Sequence, residues 1–125
     1  MDYDVVIIGG GPSGLSTAIK LAQTFKEKNL DKTICLLEKS AEIGGHILSG
    51  NVFETKALDE LIPDWKEKGA PLDVKVKRDA IKFLINDKYS IPVPSFAMPT
   101  MQNHGNYILS LGNLCRWLAE QAESL

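Results

Sequence analysis

The strongest constraint on this chain is a run of glycines set between two segments of different hydrophobic period. Tyr3 to Ile8, YDVVII, is β-branched and carries no charge after Asp4, the pattern of a strand buried on both faces of a parallel sheet. Gly9-Gly10-Gly11-Pro12-Ser13-Gly14 follows at once and contains G-x-G-x-x-G. Leu15, Ala18 or Ile19, Ala22 and Phe25 then recur at helical spacing, with Lys20, Lys26, Glu27 and Lys28 on the solvent side. Asn29 to Lys32 reads as a turn, and Thr33 to Leu37, TICLL, as a second buried strand. Strand, helix and strand in that order specify a right-handed βαβ unit over residues 3–38. The fold class is therefore α/β and Rossmann-like.

Within that unit each glycine has its own physical task. Gly9 permits the tight turn off the strand, Gly11 leaves room for a diphosphate against the backbone, and Gly14 lets the helix pack closely on the sheet. Pro12 suits the first helical turn, where its missing N–H costs nothing. The free amides there, Ser13 included, and the positive helix end favour an anion. Glu38 ends the second strand, 24 residues after Gly14. A carboxylate at that place accepts the hydroxyls of an adenosine ribose and repels a 2′-phosphate, which points to FAD or NAD(H). Lys39 beside it weakens the exclusion slightly. The plainer readings are a glycine turn without a ligand and a strand-end charge reaching water.

The next segment favours FAD. Lys39-Ser40-Ala41-Glu42-Ile43-Gly44-Gly45-His46 brings a glycine pair where a second crossover helix would follow in an NAD domain. This suggests backbone laid against an extended cofactor, as in FAD domains of the glutathione-reductase type. Residues 39–50 are thus expected to form a loop facing the cofactor. Glu54 to Ile62 is a short helix candidate ended by Pro63, and Trp65 to Pro71 a turn-rich connection. Ala80 to Ile85 and Tyr89 to Val93 read as two strands around a turn at Asn86 to Lys88, within a hairpin region 72–94. Pro92 and Pro94 confine the second strand to an edge. Met98 to Asn106 reads as a loop, and Tyr107 to Leu111 as a short strand. A last helix over about 113–124 follows, with Leu114, Cys115, Leu118, Ala119 and Ala122 on its apolar side.

Composition excludes several classes. The chain has 125 residues, room for one small domain, and a net charge of -2, which supplies no electrostatic reason to bind nucleic acid. Lys66 to Lys88 holds seven basic and four acidic residues, read as a solvated face. Cys35 and Cys115 read as reduced core residues, and two thiols do not hold a zinc or an iron–sulfur cluster. Asp2 and Asp4 stand where a signal peptide would be basic, and no apolar run approaches the ~20 residues of a membrane span. The helix ending near Leu125 is not followed by a strand, which reads as truncation of a longer parallel sheet.

Taken together, four segments resemble the electron transfer flavoprotein–ubiquinone oxidoreductase family, the electron-transferring-flavoprotein dehydrogenases. They are DVVIIGGGPSGLSTAIKL at Asp4 to Leu21, LLEKSAEIGGHILSG at Leu36 to Gly50, PDWKEKGAPL at Pro63 to Leu72, and NHGNYILSLGNLCRWLAEQAE at Asn103 to Glu123. The last two follow from no general dinucleotide argument and carry the identification. The likeness covers essentially all of this chain but about the first fifth of such an enzyme. It implies that Gly9, Gly11, Pro12, Ser13 and Gly14 hold the FAD diphosphate and that Glu38 and Lys39 stand at the adenosine ribose. It implies also that Gly44, Gly45, His46, Leu48, Ser49 and Gly50 approach the pyrophosphate and flavin side. No catalytic residue is assigned: His46 and His104 are read as hydrogen-bonding or packing residues, since electron transfer needs no protein nucleophile.

The implied parent passes electrons from reduced electron transfer flavoprotein through FAD and a [4Fe-4S] cluster to ubiquinone. It would sit peripherally on the bacterial cytoplasmic or the mitochondrial inner membrane. The resemblance places the cluster and the membrane-contacting segments beyond these residues. The 125 residues alone are then expected to be catalytically inactive, to expose apolar surface and to retain FAD weakly or not at all. Alternatives left open are another FAD-dependent oxidoreductase of the same superfamily, an NAD-binding oxidoreductase, and a dinucleotide-binding module without catalysis.

Overall fold

The computed structural model describes residues 2–125, the Ser95 side chain apart. β1 (Val5–Ile8) and β2 (Ile34–Leu37) pair in parallel, Val5 opposite Ile34 and Ile8 opposite Leu37. The crossover between them is α1 (Pro12–Glu27). Asp4 fastens the open end of the pair. Its carboxylate accepts hydrogen bonds from the Lys32 ammonium at 2.7 Å, the Thr33 N–H at 2.9 Å and the Thr33 hydroxyl at 3.1 Å. Three donors on one carboxylate favour its ionised form, and they hold it well below its ordinary range, at about 2.

The remaining elements form a three-stranded sheet, a separate hairpin and two α-helices. β3 (Ser49–Phe53) is followed by α2 (Lys56–Leu61), β4 (Val74–Lys75), β5 (Ile81–Leu84), β6 (Ser90–Val93), β7 (Tyr107–Ser110) and α3 (Leu111–Glu123). β7 lies between β3 and β4 in an antiparallel sheet, with Val52 and Val74 both opposite Ile108. β5 and β6 form a separate hairpin with Ile81 opposite Val93. The Asn86 side chain closes its turn by accepting the amides of Lys88 and Tyr89 at 2.9 and 3.0 Å, the usual device of an asparagine turn.

The core is helical rather than sheet-centred. Leu15 and Ile19 of α1 meet Leu114, Cys115, Trp117 and Leu118 of α3, with Leu58, Ile62, Trp65, Leu72 and Leu109 closing the cluster. Both tryptophans bring a polar edge that is satisfied: Trp65 donates to Asp59 at 2.7 Å and Trp117 to the Lys68 carbonyl at 3.0 Å. The second bond pins α3 to the turn after α2. Trp117 was not on the apolar side read from the sequence, yet it is buried.

Three expectations need correction. β1 is not buried on both faces: Val5 and Ile7 point inward, but Val6 is 53% and Ile8 86% exposed. Among the described residues no helix covers that side of the two-stranded sheet, so a sequence suited to a sheet interior lies on a surface. β3 and β4 are strands where a loop and the flank of a hairpin were expected. Ser-Gly-Asn-Val-Phe has little strand propensity of its own, and its ladder with β7 decides its conformation. A bulge between Ser49 and Asn51, with Gly50 at φ +81°, absorbs the mismatch. Cys35 is only half-buried, whereas Cys115 is fully buried; both are free thiols.

Candidate functional site

The turn from β1 to α1 is built by its glycines in separable ways. Gly9 has φ +107°, which an L side chain rarely adopts, and its N–H continues the ladder to the Leu37 carbonyl at 2.7 Å. A Cβ on Gly14 would overlap the carbonyl oxygen of Gly9 and lie 3.2 Å from its carbonyl carbon. Gly14 is thus where helix and strand touch. At Gly11 the reverse holds: a Cβ there would meet nothing within 4 Å. That open face adjoins the first turn of α1, which begins at Pro12, has no side-chain cap and carries no acidic residue. A helix start with no side-chain cap and no acidic residue in its own first turn is suited to an anion.

Gly10 is the residue that sequence reasoning missed, because the motif leaves its position free. It is buried, and a Cβ on it would collide with Ile43 Cδ1 and stand 3.1 Å from Glu38 Oε2. Its N–H donates to that same oxygen at 2.6 Å. The other carboxylate oxygen, Oε1, accepts the Ser40 N–H at 2.9 Å. These amides, Ser40 first and Gly10 second, hold the Glu38 carboxyl below the usual range despite some desolvation. An ionised carboxylate has about four acceptor positions. The Gly10 and Ser40 amides, with that of Lys39 close by, use part of this capacity, and the rest is open to an outside donor.

The segment after Glu38 is anchored by backbone contact. Gly44, at φ +81°, packs on Gly112 at the start of α3: a Cβ on Gly44 would stand 2.5 Å from the Gly112 carbonyl oxygen, and one on Gly112 would stand 2.9 Å from that of Gly44. The Gly44 space is filled by the protein itself, a physical reason for this glycine that cofactor proximity does not require. Gly45 lies over Ser40, with 2.6 Å between a would-be Cβ and Ser40 Oγ. Lys39, Gly45, His46, Leu48 and Ser49 are exposed. Ser49 opens β3 opposite Ser110. The structure thus joins Gly9, Gly10, Gly11, Pro12, Ser13, Gly14 and Glu38 at one end of the βαβ unit, while Gly44 braces the loop that follows.

Two other features lie apart from this constellation. A cavity of about 560 Å³ between α1, β2 and α3 is lined by residues such as Ala22, Phe25, Ile34 and Ala122, and by none of the site candidates. Among the described residues no group of three or more His, Cys, Asp or Glu side chains is placed to hold a metal. Cys35 on β2 and Cys115 on α3 belong to different elements and fall short of a four-cysteine cluster.

Comparison with known proteins agrees with this geometry. Residues 7–65 match the family model of an NAD(P)-binding Rossmann-like domain. The chain is 56% identical to the electron transfer flavoprotein-ubiquinone oxidoreductase of Pseudomonas aeruginosa over all of its own length and 23% of that protein. It is 56% identical to the mitochondrial protein of that name from Dictyostelium discoideum, over 98% of this chain and 20% of the relative. With the mitochondrial protein of Bos taurus it shares 52% identity, over 99% and 20% respectively. The chain is therefore homologous along essentially its whole length to these oxidoreductases, and it spans about a fifth of the length of the curated relatives it matches.

Proposed function

We propose that this chain is the FAD-diphosphate and adenosine-binding part of an electron transfer flavoprotein–ubiquinone oxidoreductase. The observation that carries the reading is the pairing of an open Gly11 face at an uncapped helix start with an ionised Glu38 at the end of β2. The residues fit the cofactor. The amides of the first turn of α1 would take the diphosphate, and the acceptor capacity left on Glu38 would take the ribose hydroxyls. A 2′-phosphate would meet the same negative charge, which speaks for FAD or NAD(H) over NADP(H). Between those two, the Gly44–Gly45 segment favours FAD, since it forms a braced loop and no crossover helix.

When bound, FAD supplies the electron transfer itself. This chain's residues bind and orient its adenosine half and provide no acid, base or nucleophile. The [4Fe-4S] cluster does not fit the cysteines present and is assigned to residues outside this chain, as are the contacts with electron transfer flavoprotein and ubiquinone. Peripheral attachment to a membrane has local support that the sequence reading did not give. The β5–β6 hairpin exposes Phe83 at 66% and Leu84 at 72% close to its turn, with Lys82, Asp87 and Lys88 near them in sequence, apolar surface in a mostly cationic stretch. No helix among the described residues is long and apolar enough to cross a membrane.

The test is the protein made from its complete gene. Flavin released by denaturation should be FAD in near-equimolar amount. Reduced electron transfer flavoprotein should bleach it, and a ubiquinone analogue should restore it. A colourless protein that binds only NAD(H) would overturn the proposal.

A further inference from the structure

We infer that Glu38 is a positioning residue for the glycine loop as well as a binder of ribose, and that it fixes the loop before any ligand arrives. This rests on the proposed function but on a different set of contacts. Its carboxylate bridges two backbone amides 30 residues apart in sequence: Oε2 takes the Gly10 N–H at 2.6 Å, and Oε1 takes the Ser40 N–H at 2.9 Å. Gly10 is the middle of the Gly9-Gly10-Gly11 turn, so the bond sets the direction in which Gly11 and the next amides face. Ser40 begins the loop that Gly44 fixes against Gly112. One side chain thus joins the diphosphate turn to the braced loop. Gly10 is closed in from the other side by Ile43. The bridge also divides the work of the carboxylate, part of its acceptor capacity being taken by the protein and the rest left for the ligand.

The consequence separates this from ribose binding alone. Removing Glu38 should weaken even a ligand that has no ribose hydroxyls, because the amides that meet its diphosphate are no longer preorganised. The experiment uses apoprotein from the complete gene, as wild type, Glu38→Ala and Glu38→Gln, titrated with FAD and with FAD lacking the adenosine 2′ and 3′ hydroxyls. Glu38→Ala should bind the dideoxy compound at least about tenfold more weakly than wild type does, the lower end of the effect expected for losing a charge-assisted bond. Glu38→Gln, which keeps one acceptor oxygen, should fall between. Equal affinity of wild type and Glu38→Ala for the dideoxy compound would overturn the inference.

A second measurement needs no flavin. Hydrogen exchange resolved to single amides should show Gly10 and Ser40 exchanging about tenfold faster in Glu38→Ala, while Gly9, bonded to the Leu37 carbonyl, stays as in wild type. Unchanged exchange at Gly10 would refute the bridge. If wild type binds neither flavin compound, the proposed function fails and this measurement alone decides the positioning role.

Discussion

Gly14 and Gly11 stand three residues apart in one motif, and the structure assigns their requirements to different causes. Alanine at each should separate them. At Gly14 the new methyl would land on the Gly9 carbonyl oxygen, with Ile7 Cγ2 at 3.4 Å on the other side. The obstructing atom is backbone in the turn that ends β1, so no side-chain rotation relieves it and α1 must move away from the sheet. Overpacking of this kind costs about 1–3 kcal/mol. Alanine returns up to about 1 kcal/mol as a better helix former than glycine. The clash should prevail, leaving Gly14→Ala about 1–2 kcal/mol less stable.

At Gly11 the methyl enters open space from an extended backbone, φ -81° and ψ -178°. Alanine is a poorer N-cap by up to about 1 kcal/mol, while restriction of the unfolded chain returns about 0.4–1 kcal/mol. Gly11→Ala should therefore lie within about 0.5 kcal/mol of wild type and yet lose FAD affinity by more than about tenfold, because the methyl takes the space of the diphosphate. Denaturant unfolding followed by tryptophan fluorescence reads stability, and flavin titration reads binding. The reasoning is refuted if Gly14→Ala is as stable as wild type, or if Gly11→Ala loses as much stability as Gly14→Ala.

Other outcomes follow from single contacts. Asp4 titrates at about 2 in the folded chain, against an ordinary 3.8. A depressed carboxylate stabilises fully above the ordinary value, and its contribution fades as pH falls from about 4 towards 2. Asp4→Asn should flatten the loss of stability in that interval, as measured by thermal melts across the pH range. Trp117→Phe should cost about 1–2 kcal/mol in denaturant unfolding, since it leaves the Lys68 carbonyl unpaired and opens space in the core. Burial raises the Cys115 thiol pKa, so a thiol reagent should label Cys35 in the native protein and Cys115 only on unfolding. Aspartate at both Phe83 and Leu84 should weaken sedimentation with anionic lipid vesicles while FAD content is unchanged; undiminished sedimentation would remove the hairpin from the membrane surface.

Much of the βαβ unit was legible because its signals are local. A β-branched run, a glycine turn, a helical stripe and a second β-branched run each follow from backbone sterics and period, and the observed β1, α1 and β2 lie inside the segments read from sequence. The same is true of the hairpin, whose Asn86 turn chemistry is written in three residues; α3 was read two residues late, since it starts at Leu111 and the strand before it ends at Ser110. Glu38, singled out by its distance from Gly14, stands beside Gly10 after the end of β2. Missed were β3 and β4, which are strands only because β7 lies between them. Missed also was Trp117, whose burial depends on the turn it bonds.

The sequence by itself determined the order of elements in the βαβ unit and the chemical types at the end of β2 and the start of α1, since those depend on neighbours along the chain. Tertiary structure decided which glycine serves which purpose. Gly14 makes room for Gly9, Gly44 for Gly112, and Gly10 for Glu38 and Ile43, whereas Gly11 faces open space. It decided also that the core would form between α1 and α3, leaving Val6 and Ile8 on an open sheet face. For the glycines the physical reason is that a missing side chain permits either a close approach or an unusual backbone angle, and only the fold determines which, and whether what approaches is a strand, a helix, a carboxylate or a ligand.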